Sequence, residues 1–122
     1  MSRSWFSKKI QGLTGVPAVR RMKTYSAESG YVYQYHFEGR RGGTEFVFSV
    51  SADRKTWREV TVRIPEGDLT VRERQLTLTD RYAVAKIALF AAFDRCASPD
   101  EMPEPVEVNA RELEEVADRL GW

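Results

Sequence analysis

The side chains most often recruited for catalysis or metal binding are scarce in this 122-residue chain: one histidine, His36, and one cysteine, Cys96. A nucleophile relay needs a base held by a second group, and His36 stands in mid-strand sequence with no informative neighbour, so it reads as an ordinary strand histidine. One His and one Cys cannot fill a zinc site, and neither a metal nor a cofactor is expected. Gly39-Arg40-Arg41-Gly42-Gly43 lacks the spacing and the following Lys-Ser/Thr of a phosphate loop, and reads as a hairpin turn. Asp100, Glu101, Glu104 and Glu107 read as a solvated acidic rim. Lys86 interrupts an apolar helical face formed with Tyr82, Leu89, Phe90 and Phe93. The leading reading is a rim lysine whose stem packs on the rings while its ammonium reaches water. The alternatives are an aromatic, basic contact patch or a desolvated catalytic lysine working with Tyr82 and a carboxylate such as Asp94. No catalytic residue is assigned.

A second chemistry is binding. Tyr31, Tyr33, Tyr35 and Phe37 alternate along one strand, and Arg20, Arg21, Lys23, Arg40, Arg41, Arg54 and Lys55 surround them in sequence. Exposed, the rings would stack bases while the cations drew phosphates. Buried, they would form the sheet face under a long apolar helix. Burial is the preferred reading, because that helix needs a large apolar partner and the opposite strand face (Val32, Gln34, His36, Glu38) is poor in apolar residues. The arginines would then bind from loops, so Arg20, Arg40, Arg41, Arg54, Lys55 and Lys86 are the candidate contact residues.

Charge supports a division of the chain. Residues 1–64 hold 12 Lys+Arg against 5 Asp+Glu and carry +7, whereas residues 65–122 hold 7 against 13 and carry −6, within a net +1. Such asymmetry suits an anionic partner for the basic half, or two halves that attract each other. The 42% hydrophobic and 30% charged composition is that of a globular chain, expected as one domain over residues 1–122. No apolar run approaches the roughly 18 residues of a membrane span. No secretory segment is recognisable and one cysteine excludes an internal disulfide, so a cytoplasmic setting is expected.

The elements that must position these residues follow from periodicity and punctuation. Trp5, Phe6, Ile10 and Leu13, with Lys8 and Lys9 between them, suit a short amphipathic helix over 1–15. Period-two alternation from 18 to 64 predicts four strands: 18–25, 31–38, 44–51 and 57–64. The fragment SADRKTW, Ser51 to Trp57, resembles the hairpin of discoidin-type carbohydrate- or lipid-binding domains over these seven residues; the helix-bearing remainder departs from that family's β-sandwich. Pro65–Gln75 reads as a connection. Thr77 to Cys96 carries an apolar run without Gly or Pro and predicts a buried helix, capped by Thr77 or Thr79 with Asp80 in its first turn. Pro99, Pro103 and Pro105 force an extended loop, and 106–108 is a candidate edge strand. Asn109 with Glu112 forms a capping box and Val108 with Leu113 a hydrophobic staple for a helix over 109–120, which Gly121 stops.

The expected architecture is α+β: a four-stranded antiparallel meander with the central and C-terminal helices on one face. The expected function is a non-enzymatic binding or interaction domain whose partner is another protein or a second copy of itself. Nucleic-acid binding through the basic half is the alternative, ahead of a small enzyme built on Lys86.

Overall fold

The computed structural model describes residues 12–122. The amphipathic helix expected over 1–15 lies outside these residues except for its last four. They are not helical, and Thr14 bridges to Arg40 through paired N–H···O bonds of 2.9 and 2.8 Å.

Helix α1 (Leu78–Arg95) organises the fold as its composition demands. Thr77 accepts from the Asp80 amide, and the Asp80 carboxylate accepts from the Thr77 amide at 3.1 Å. This reciprocal cap satisfies two donors the first turn would otherwise leave bare. Val84, Ala85, Ala88, Leu89, Ala92 and Phe93 are buried. Beneath them lies a curled sheet of β1 (Lys23–Ser26), β2 (Val32–Arg41), β3 (Glu45–Ser51), β4 (Arg58–Arg63) and β7 (Val106–Glu107), hydrogen-bonded in that order. The sheet has five strands, not four. The additional strand, β7, lies parallel to β4, pairing Val62 with Val106 and Arg63 with Glu107.

Two strand boundaries also move, and a second small sheet appears. Of the segment expected over 18–25 only Lys23–Tyr25 joins the ladder, and the strand runs on to Ser26, opposite Tyr35 through Val32. Strand β2 runs through Gly39 to Arg41, so the β2–β3 hairpin turns at Gly42–Thr44 rather than over Gly39–Gly43. Within Pro65–Gln75, read as a plain connection, β5 (Thr70–Val71) and β6 (Arg74–Gln75) form a two-residue hairpin. Its corner residues Arg72 (φ 53°) and Glu73 (φ 68°) sit in the left-handed region, at roughly 1 kcal/mol each. Arg72 secures the corner by donating to Glu114 (3.1 Å), Asp118 (2.6 Å) and the Trp122 carbonyl (2.9 Å).

Glu114 and Asp118 belong to helix α2 (Ala110–Leu120), whose Asn109–Glu112 capping box and left-handed Gly121 are those the sequence predicts. Helix α2 packs on α1 and β5. Val108 and Leu113, the predicted staple, are both buried.

The β2–β3 register slips between Phe37 and Gly39, leaving Glu38 as the extra residue of a bulge. Gly39 is required there: at φ 143° an added Cβ would lie 2.9 Å from the Leu13 Cβ and the Thr14 carbonyl oxygen. The bulge puts Glu38 and Gly39 on the same side of the sheet. Arg40 is thereby paired with Phe46 on the helix side, and Arg41 with Glu45 on the other.

Candidate functional site

The aromatic stripe is core. Tyr33 and Tyr35 are buried, with Tyr33 stacked on Phe93 at 4.1 Å and Tyr35 edge-on to Phe90 at 5.4 Å. Phe37 packs edge-on against Tyr82 at 4.9 Å. Of the four, Tyr31 is the exposed one, so the strand offers no row of ring faces for stacking bases.

The candidate basic residues are not gathered into one patch. Arg40 and Arg41 flank the β2–β3 turn, whereas Arg54 and Lys55 occupy the β3–β4 turn at the opposite end of β3, roughly 20 Å away at about 3.3 Å per strand residue. Arg41 lies 3.8 Å from both Glu45 and Glu59. The SADRKTW turn is held by Ser51 and Asp53: Asp53 Oδ1 accepts from the Lys55 and Thr56 amides at 2.8 and 2.7 Å, and Ser51 Oγ accepts from the Arg54 amide at 2.9 Å. The Thr56 and Lys55 amides hold the Asp53 carboxyl down to about 2. Its role is to shape a turn.

Lys86 packs its ammonium 5.9 Å from the Phe90 ring centroid and is half-buried. Asp94 lies two turns further along α1, about 12 Å by helical rise, and accepts from Tyr25 Oη at 2.7 Å and the Glu28 amide at 3.0 Å. Lys86, Tyr82 and Asp94 are therefore not brought together.

The face of the sheet away from α1 carries a polar cluster that strand alternation alone does not reveal. Glu38 and Ser49 are fully buried there, with Gln34, Ser51 and Thr61 close to it. Ser49 Oγ donates to Glu38 Oε2, His36 Nδ1 lies 3.2 Å from that same oxygen, and Arg20 Nε lies 3.0 Å from Glu38 Oε1. Hydroxyl and imidazole converge on one carboxylate, whereas an acyl-transfer relay needs the imidazole between hydroxyl and acid. The cluster neutralises a buried carboxylate. Next to it Arg41, Glu45, Arg63 and Glu107 alternate in sign across four strands, with Arg63 Nη1 donating to Glu107 at 2.6 Å. Among the described residues no group of three His, Cys, Asp or Glu could hold a metal ion, and no helix is long and apolar enough to cross a membrane.

One edge of the sheet is β1, whose residues are mostly exposed. Ala27 N–H bonds the Tyr31 carbonyl at 2.9 Å, and antiparallel alternation then directs the Tyr25 and Lys23 backbone groups toward β2. Those of Thr24 and Ser26 point away from the sheet. Met22 (58% exposed), Val19 (65%) and Val16 (47%) lead into the strand. Under its helix side a groove of about 310 Å³ is lined by Arg21, Lys23, Tyr35 and Tyr82. No family model, no curated protein and no solved structure matches the chain.

The buried and half-buried phenols give this fold an alkaline limit. Burial, as the largest cause, raises Tyr25, Tyr33, Tyr35 and Tyr82 above the ordinary 10.0, and the Asp94 carboxylate adds to it at Tyr25. A raised folded value favours the neutral phenol, so this stability is complete below pH 10 and is lost as pH rises through the raised values. Absorbance titration of the phenols and circular dichroism on the same samples should give coincident transitions above pH 10. Ionisation of all five tyrosines near pH 10 with the fold intact would contradict the burial.

Proposed function

We propose that this chain is a non-enzymatic interaction domain that self-associates through β1, extending its sheet into that of a second copy. The observation that supports this is the exposed β1 edge, whose Thr24 and Ser26 backbone groups point outward beside exposed Met22, Val19 and Val16. A strand edge of this kind is a template for a further strand. Charge favours a second copy as the occupant. Arg21 and Lys23 lie toward the start of the edge, Glu28 and Asp94 toward its end. A twofold antiparallel pairing therefore brings the basic end of each strand to the acidic end of the other, where like charges would otherwise meet.

Light scattering on the column-eluted protein at low and high salt, with the Thr24→Pro variant beside the wild type, tests this. Proline at Thr24 removes an outward N–H and leaves the β1–β2 bonds of Tyr25 and Lys23 in place. The expected result is a concentration-dependent wild-type dimer free of nucleic acid, and a monomeric variant whose circular dichroism is unchanged. A wild type monomeric at every concentration overturns the reading, as does a dimer that Thr24→Pro leaves intact. Nucleic acid that co-elutes at low salt and leaves at high salt would replace it with phosphate binding.

A further inference from the structure

Helix α1 does not cover the whole of its sheet face. It stops at Arg95, and the chain then turns through Pro99–Glu101, leaving an open groove of about 460 Å³ between that turn and the β3–β4 turn. The floor is Tyr33 and Val50, and the rim includes Tyr31, Arg58 and Asp100. Two features of this groove are not explained by folding. Tyr33 is 1% exposed, yet its hydroxyl has no hydrogen-bond partner among the described residues. A buried hydroxyl left without a partner is destabilising, and an acceptor seated in the groove would satisfy it. Arg58 faces the same groove from β4, directly across from Val50. One of its Nη groups donates to the Pro99 carbonyl, which anchors the guanidinium at the groove wall, and the guanidinium carries further N–H donors.

We infer that this groove binds a small organic monocarboxylate, whose carboxylate accepts from Tyr33 Oη and the Arg58 guanidinium while its apolar body packs on Val50 and the Tyr31 ring. Convergent neutral and charged donors over an apolar floor match a carboxylate with a hydrophobic body. The exposed Asp53 and Asp100 carboxylates also line the groove, oppose polyanions such as nucleotides and leave the Arg58 end as the place for a single carboxylate. This site lies on the helix side of the sheet at the β3–β4 turn and is independent of the β1 self-association.

The test is a titration followed by amide chemical shifts, using benzoate, phenylacetate and butyrate as probes and benzamide as the neutral counterpart of benzoate. Saturable shifts at Val50, Arg58 and Asp100 are expected with at least one carboxylate, and not with benzamide. Tyr33→Phe and Arg58→Met should each weaken that binding about tenfold or more. Tyr33→Phe carries a second readout that a structural role would not give: because its hydroxyl is unpartnered, the ligand-free variant should be at least as stable as the wild type. No saturable shift with any carboxylate overturns the inference. So does benzamide binding as well as benzoate, or binding that Tyr33→Phe leaves unchanged. A Tyr33→Phe variant clearly less stable without ligand would show that the hydroxyl is already satisfied, and would overturn it too.

Discussion

Phe93→Ala should cost about 3–5 kcal/mol, seen as a fall in the urea midpoint with little change in slope. Phe93 is fully buried in α1 and is the ring on which the others converge: Tyr33 at 4.1 Å, Tyr25 at 5.7 Å, Tyr35 at 6.4 Å and Phe90 at 6.5 Å. Removing it leaves a void bordered by stiff rings on two strands, which close over an empty space poorly. Domains of ordinary stability hold only about 5–15 kcal/mol, so this substitution alone should bring the chain near its folding limit. Phe93→Leu keeps most of the volume and should cost less than about 2 kcal/mol, the lost stacking being its main component. A loss under about 1 kcal/mol for Phe93→Ala would mean that α1 is not seated as described.

Arg20→Met should be the most damaging change at the other face, at about 2–3 kcal/mol. Removing one partner of a buried pair usually costs about 3–5 kcal/mol because the other charge stays behind. Here Arg20 is 36% exposed while Glu38 is fully buried, so solvent screening discounts the pair toward the lower figure. The reverse truncation, Glu38→Leu, leaves an arginine that can turn to water and a Ser49 hydroxyl that loses its acceptor, and should cost about 1–3 kcal/mol. The combination Arg20→Met with Glu38→Leu should then be more stable than Arg20→Met alone. Urea midpoints of the four proteins give the coupling directly. Simple additivity of the two losses would show that the two groups are not energetically paired.

Local signals account for most of what was legible in the sequence. The Thr77–Asp80 and Asn109–Glu112 capping boxes, Gly121 and the alternation of Tyr33, Tyr35 and Phe37 each depend on residues a few positions apart. The features that escaped depend on partners distant in sequence. Residues 106–108 read as a candidate edge strand, but so short a run does not reveal its parallel partner, which lies beyond an entire helix, and the expected sheet therefore has four strands. Glu38 sits in an alternating pattern that hides its bulge, because the bulge is a property of the β2–β3 register and of the room Leu13 and Thr14 leave at Gly39. The pairing with Arg20 and Ser49 depends on that geometry. Lys86 is a half-buried residue of α1 beside Phe90, and its spacing from Asp94 along the helix already placed that carboxylate too far away to act with it. The groove at Tyr33 and Arg58 needs β2, β4 and the turn after α1 together, and no window of sequence contains all three.

The parallel pairing of β7 imposes an order on synthesis. The β2–β3 and β3–β4 hairpins close over short turns, so these strands can pair soon after they emerge from the ribosome. The outer side of β4 must wait for Val106 and Glu107, which are translated only after all of α1. Until then the nascent chain displays a bare strand edge, an invitation to pair with a neighbouring chain. Arg58 and Arg63 at the two ends of β4 place charge on that edge during the interval, a gatekeeping duty distinct from any contact they make in the finished fold.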